Sequence, residues 1–201
     1  MGYSRATMKA DLQALGIDDP GDHCWLAYEK ALHSAGDLVI GRGNDLTRAD
    51  LYRKVADITG DTMLVSGASG NLLKADTWWS LAVNDSWLLG GIHRGAKFRL
   101  ASPRLPENLW NATEGYLIVT ARELLGLLQF GYALEQIGPW QVLVCKNQSA
   151  AASSNLIEYD KLIKRSGSVA QATEFLRQAT PGRVTPGATP TPLVGPPTLA
   201  R

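Results

Sequence analysis

Within four residues, Asp22-His23-Cys24-Trp25 brings together a carboxylate, an imidazole and a thiol, and His93 follows about seventy residues later. With Asp22 as a helix N-cap, Cys24 falls in the first helical turn. Unpaired N–H groups and the helix dipole favour a thiolate there. A thiolate within reach of a histidine base suits acyl-transfer chemistry: sulfur attacks a carbonyl carbon while the imidazole carries the proton. Asp85, placed across a predicted hairpin from His93, is the candidate for the third, orienting group. The candidate catalytic set is therefore Cys24, His93 and Asp85. Asp18, Asp19 and Asp22 oppose it, because like charges nearby raise a thiol pKa. The competing assignment for Cys24 is a buried structural cysteine beside a tryptophan.

A cysteine at a helix start facing a histidine from a later sheet resembles the layout of papain-like enzymes, which implies a thiol-dependent hydrolase or transferase. A second stretch, Ser66-Gly67-Ala68-Ser69-Gly70, follows the apolar run Met63-Leu64-Val65. Val-Ser-Gly-Ala-Ser-Gly is similar to the opening of the short-chain dehydrogenase fingerprint. Leu72 and Leu73 follow where that pattern needs its third glycine, and no Tyr-x-x-x-Lys pair lies downstream. The expectation is a tight turn and no cofactor. The same segment, taken with Leu89-Gly90-Gly91-Ile92-His93, is similar to the strand-end and histidine pattern of cysteine glutamine-deamidases. Those enzymes have a cysteine where this chain has Ala68, so the resemblance implies an inactive relative or an inactivated variant.

Six tryptophans against three phenylalanines tilt the aromatic content toward binding surfaces. Trp78 and Trp79 are adjacent, so on a strand they face opposite sides. With Trp87 they form the candidate partner-binding set on a predicted sheet face. The competing expectation is that flanking helices cover them.

Other chemistry has little to stand on. His23, His33 and His93 are scattered, the two cysteines form no CxxC pattern, and HExxH, P-loop and GxSxG motifs are missing. Nothing in the spacing unites Asp76 with Asp85 or Glu107 with Glu114 as a carboxylate pair. Of 20 basic residues, Arg183 and Arg201 lie near the C-terminus, leaving 18 basic against 19 acidic residues before residue 180. A net charge of −1 argues against nucleic acid, which needs a basic face to neutralise phosphates. The N-terminal residues lack a signal-peptide apolar core, and no run approaches the roughly 20 apolar residues that cross a bilayer. A cytoplasmic protein without membrane attachment is the expectation, with export by a signal-less route left open.

The elements that must position these residues read as α+β. Helices are predicted over Ser4 to Leu15, His23 to Ser34, and from a Thr47 cap to Gly60. Buried strands are predicted at Asp37 to Gly41 and Met63 to Val65. Three β-like runs, Trp78 to Val83, Trp87 to His93 and Lys97 to Ser102, predict a β-meander over about 78–102 in a mostly antiparallel sheet. A strand at Tyr116 to Val119 leads through a Thr120-Ala-Arg-Glu123 capping box into a helix ending at Phe130. Trp140 to Cys145 is the last strand, and helices follow at Asn155 to Arg165 and Val169 to Gln178. The expected organisation is one domain over 1–179 and a disordered Thr/Pro/Gly-rich tail over 180–201, which holds six of the ten prolines. The function expected first is an interaction or effector-type protein that binds a protein partner through its tryptophan-bearing sheet face. The thiol-dependent hydrolase or transferase is the alternative.

Overall fold

Ser4 opens the first helix as its residue type predicts. Its hydroxyl accepts from the Thr7 backbone N–H at 3.2 Å, and α1 runs over Arg5–Ala14 with Met8 and Leu12 buried. The computed structural model describes residues 2–17, 21–41, 62–65, 73–74, 80–102, 109–111, 113, 116–138 and 140–164. The predicted helix after Thr47, the Ser66–Gly70 turn, Trp78, Trp79, the helix at 169–178 and the proline-rich tail lie outside these residues.

Helix α2 spans Gly21–Leu32. Asp22, predicted as its N-cap, lies inside the first turn and pairs with Arg5 of α1. The other end of α2 is satisfied from outside the helix: Arg94 donates from Nε to the Ala31 carbonyl and from Nη2 to the Gly36 carbonyl, both at 3.0 Å.

The main sheet comprises β1 (Leu38–Ile40), β2 (Thr62–Val65), β3 (Leu73–Lys74), β4 (Phe98–Leu100), β7 (Tyr132–Ile137) and β8 (Trp140–Cys145), in the order β3-β2-β1-β4-β8-β7. β1 lies parallel to β2 and to β4, and β2 is parallel to β3. β7 and β8 form an antiparallel hairpin, and β8 runs antiparallel to β4. Antiparallel residue pairs outnumber parallel ones among the described strands. A small second sheet pairs β5 (Trp110–Asn111) with β6 (Tyr116–Leu117). The helices α3 (Leu81–Arg94), α4 (Val119–Gln129), α5 (Gln148–Ala152) and α6 (Leu156–Lys164) complete the described elements. The α+β class, with helices at both ends around a mixed sheet, agrees with the sequence expectation.

Leu38, Ile40, Phe98, Leu100, Leu143 and Tyr132 alternate onto one sheet face and join the hydrophobic core. Helix α3 lies across that face: Trp87 meets Phe98 edge-to-face at 6.4 Å, and Gly91 sits directly over Leu38 and Phe98. The opposite face carries Val39, Arg99, Val142, Glu135, Ile137 and Trp140, as the strand registers require.

The predicted meander over 78–102 is corrected. Its first two runs are replaced, from Leu81 onward, by the single helix α3, and only Phe98–Leu100 is a strand. Ser80 caps α3 through Val83 N–H at 3.2 Å, and Gly95 ends it in the left-handed region at φ 68. Ala82 to Ile92 are all buried, so the helix has no polar stripe and its apolar run mimics buried strands. The capping box is corrected too. Ile118 is the N-cap of α4, while Thr120 and Glu123 are buried inside the helix. The sequence reading contains no counterpart of β7 or α5.

Candidate functional site

The three predicted catalytic residues do not converge. Asp85 and His93 lie on the same helix, about 12 Å apart along its axis, and not across a hairpin. Cys24 meets α3 at Ser86, whereas Tyr28, one turn further along α2, meets His93. Each residue has another task.

His93 is a bridge between elements. Its Nε2 donates to the Ser154 carbonyl at 2.7 Å, and the Tyr28 hydroxyl donates to its Nδ1 at 2.9 Å. That pattern uses both nitrogens and fixes a neutral tautomer. Burial lowers the His93 pKa, in keeping with the neutral ring, although the Ser154 contact works in the other direction. Tyr3 packs edge-on against His93 at 4.7 Å and sits 5.3 Å from Tyr28, and its hydroxyl donates to Asp11 at 3.1 Å. The group suits pinning α1, α2, α3 and the α5–α6 turn together more than it suits proton transfer.

Cys24 lines a small hollow of about 90 Å³ between α1 and α2, with Met8, Leu12 and Trp25 beside it and Arg5, Lys9 and Asp22 at the rim. The thiol residue itself is only 2% exposed. Burial raises its pKa, and the Asp85 charge adds to the rise. Ser86 opposes this, but its hydroxyl proton is already committed to the Ala82 carbonyl at 2.6 Å. Burial at this helix start therefore works against an activated thiolate. Alkylation of the native chain near pH 7 should modify the half-exposed Cys145 faster than Cys24. Mass spectrometry after brief iodoacetamide treatment measures the two rates, and preferential labelling of Cys24 would restore the nucleophile assignment.

Asp85 belongs to a buried polar cluster that the sequence reading did not assemble. Arg122 of α4 grips it from Nε at 3.1 and 3.2 Å and from Nη2 at 2.5 Å. The same guanidinium reaches Asp160 of α6 at 3.4 Å and lies over the Tyr159 ring at 5.2 Å. Tyr159 in turn donates to the Arg122 carbonyl at 3.0 Å. Burial alone would lower the Arg122 pKa, but Asp85 and then Asp160 hold it raised, so the cation is permanent. Asp85 is pushed up by burial and pulled down by Arg122. Glu123, one residue on from Arg122, takes no share of the guanidinium among the described contacts of the cluster, and burial pushes it up to about 8. Its Oε2 and the nearby Asn84 Nδ2 make no hydrogen bond among the described residues. The clue in the sequence was a polar triplet, Asn84-Asp85-Ser86, inside an apolar run.

The predicted partner-binding tryptophans also divide. Trp87 is 1% exposed and forms part of the core, so it offers no contact surface; Trp78 and Trp79 lie outside the described residues. Trp140, which the sequence reading did not select, is partly exposed on β8 opposite Ile137 of β7. The described residues contain no cluster of His, Cys, Asp and Glu suited to a metal ion, and none of their helices is long and apolar enough to cross a membrane. The Leu89–His93 half of the deamidase-like pattern is helical, and its Ser66–Ala68 half lies outside the described residues. Comparison with family models, curated proteins and solved structures finds no match for this chain.

Proposed function

We propose that this chain is a protein-binding domain that engages its partner through the outer face of the β7–β8 hairpin. One observation carries the reading: Ile137, 37% exposed, is the cross-strand partner of the partly exposed Trp140. Cross-strand partners share a face, and this one points away from the helices that cover Leu143 and Tyr132. The reading keeps the expected tryptophan-bearing sheet face and moves its anchor to Trp140. A rigid indole beside a branched aliphatic chain gives a contact area that loses little rotamer entropy on binding. β7 is also the last of the described strands in the sheet order, an edge position to which an extended partner segment can add.

The thiol-dependent alternative is weakened by the buried, protonated state favoured for Cys24 and by the two hydrogen bonds that occupy His93. Trp140→Ala is the test. The immobilised full-length chain should retain partner proteins from lysate, and the variant should lose them while its melting temperature stays within about 2 °C. Identical retained sets from both forms would remove the hairpin from the reading.

A further inference from the structure

We propose that the α3–α4–α6 junction is a proton-operated latch, closed while Glu123 keeps its proton and opened when that proton is lost to solvent. The inference is independent of the hairpin surface and starts from charge and geometry. Two carboxyl groups, Asp85 and Asp160, share one guanidinium, that of Arg122, and a third, Glu123, is buried beside Asp85. Arg122 directs its donors at Asp85 and Asp160, and Tyr159 receives its face. Glu123 is 3% exposed, and its Oε2 has no hydrogen-bond donor among the described residues. An ionised Glu123 would set an uncompensated negative charge beside the Asp85 carboxylate in an interior built by three helices. A buried group in that position sheds its charge by holding a proton.

The groups facing Glu123 do not supply a counter-charge. From α3 come Asn84, whose neutral amide favours the ionised form, and Asp85, which opposes it. Tyr159 and Asp160 face the cluster from α6, and Cys24 of α2 lies behind Asp85. Of the groups on β7, which also packs on α4, Tyr132 has Cys145 and Arg94 as its electrostatic neighbours and Glu135 pairs with Lys146. Burial, the dominant cause, sets the carboxyl at about 8 against an ordinary 4.5. A folded chain therefore binds a proton that an opened chain releases. The stability this provides is fully present below about pH 4.5 and declines as pH rises to about 8, because the closed state then binds the extra proton.

Amide hydrogen exchange at pH 6.5 and pH 9, corrected for the intrinsic rate, reads the latch directly. Protection in α4 and in the facing turns of α3 and α6 should fall roughly thirtyfold over that interval, while the β7–β8 hairpin keeps its protection. Glu123→Gln, which mimics the protonated carboxyl, should abolish the loss. Equal losses in the variant and the parent, or no loss in the parent, would overturn the proposal. Titration of the parent with carboxyl-labelled glutamate gives a reading that does not need the variant to fold. A Glu123 midpoint near 8 supports the latch, and one in the ordinary carboxylate range refutes it.

Discussion

Arg122→Met is expected to destabilise the folded chain by about 3–5 kcal/mol, because it strands a carboxylate that the interior otherwise cannot hold. Asp85 is 4% exposed and receives three contacts of 2.5 to 3.2 Å from this one side chain. Methionine keeps most of the apolar stem and removes the guanidinium that lies over the Tyr159 ring, so the loss reads the charge more than the packing. Asp85 is then left without its cation beside the buried Glu123, and folding favours uptake of a further proton. Urea unfolding at pH 7 measures the effect. The second variant, Asp85→Leu combined with Arg122→Met, should recover much of the loss, since an apolar pair of similar size does not have to be desolvated as ions. A single variant within about 1 kcal/mol of the parent would mean that water reaches Asp85 and that the pair is not the anchor of this junction.

The same cluster explains which features of the sequence were legible and which were not. Ser4 could be read as a cap because capping is local: a hydroxyl and an N–H three residues apart suffice. Trp140–Cys145 could be read as a strand because β-branched residues alternate within it, and Leu38–Ile40 because a short apolar run is flanked by Asp37 and Gly41. The α+β class follows from such local signals. Helix α3 could not be read that way. It is buried from Ala82 to Ile92, so periodicity, the signal that separates helix from strand, is erased by contacts on every side. Its tryptophan and paired glycines then point to strands and turns by propensity, and the tertiary surroundings override both.

The candidate catalytic residues are kept apart for a related reason. Once α3 is helical, Asp85 and His93 are fixed about two turns apart, and each turns to a different neighbour: Asp85 to Arg122 and His93 to Tyr28 and Ser154. Arg122 and Asp160 lie 37 and 75 residues beyond Asp85 and carry no spacing motif that links them to it. Only the packing of α4 and α6 against α3 reveals the connection. Tyr132–Ile137 was missed because Glu135 and Gln136 dilute its apolar character, yet that same polarity belongs to an edge strand with one face toward solvent.

Gly90→Ala is expected to destabilise the chain by about 2–4 kcal/mol, against the direction that helix propensity alone dictates. Alanine in place of an interior helical glycine ordinarily gains about 1 kcal/mol. Here α2 and α3 run side by side in the same direction, with Cys24 at Ser86, Tyr28 at Gly90 and Ala31 at Arg94. A Cβ on Gly90 would overlap the Tyr28 carbonyl oxygen, come within 3.0 Å of its carbon and lie 3.1 Å from the Ala31 Cβ. A backbone carbonyl inside a helix cannot rotate away as a side chain does, so the two helices must separate. Separation stretches the Tyr28–His93 bond at 2.9 Å and the Arg94–Ala31 bond at 3.0 Å, each contributing about 0.5–1.5 kcal/mol. The melting temperature should therefore fall by several degrees, and the near-ultraviolet circular dichroism of the Tyr3–Trp25–Tyr28 group should change with it. A variant that melts higher than the parent would show that propensity wins, and that α2 and α3 are not in the close backbone contact on which the placement of Cys24 and His93 depends.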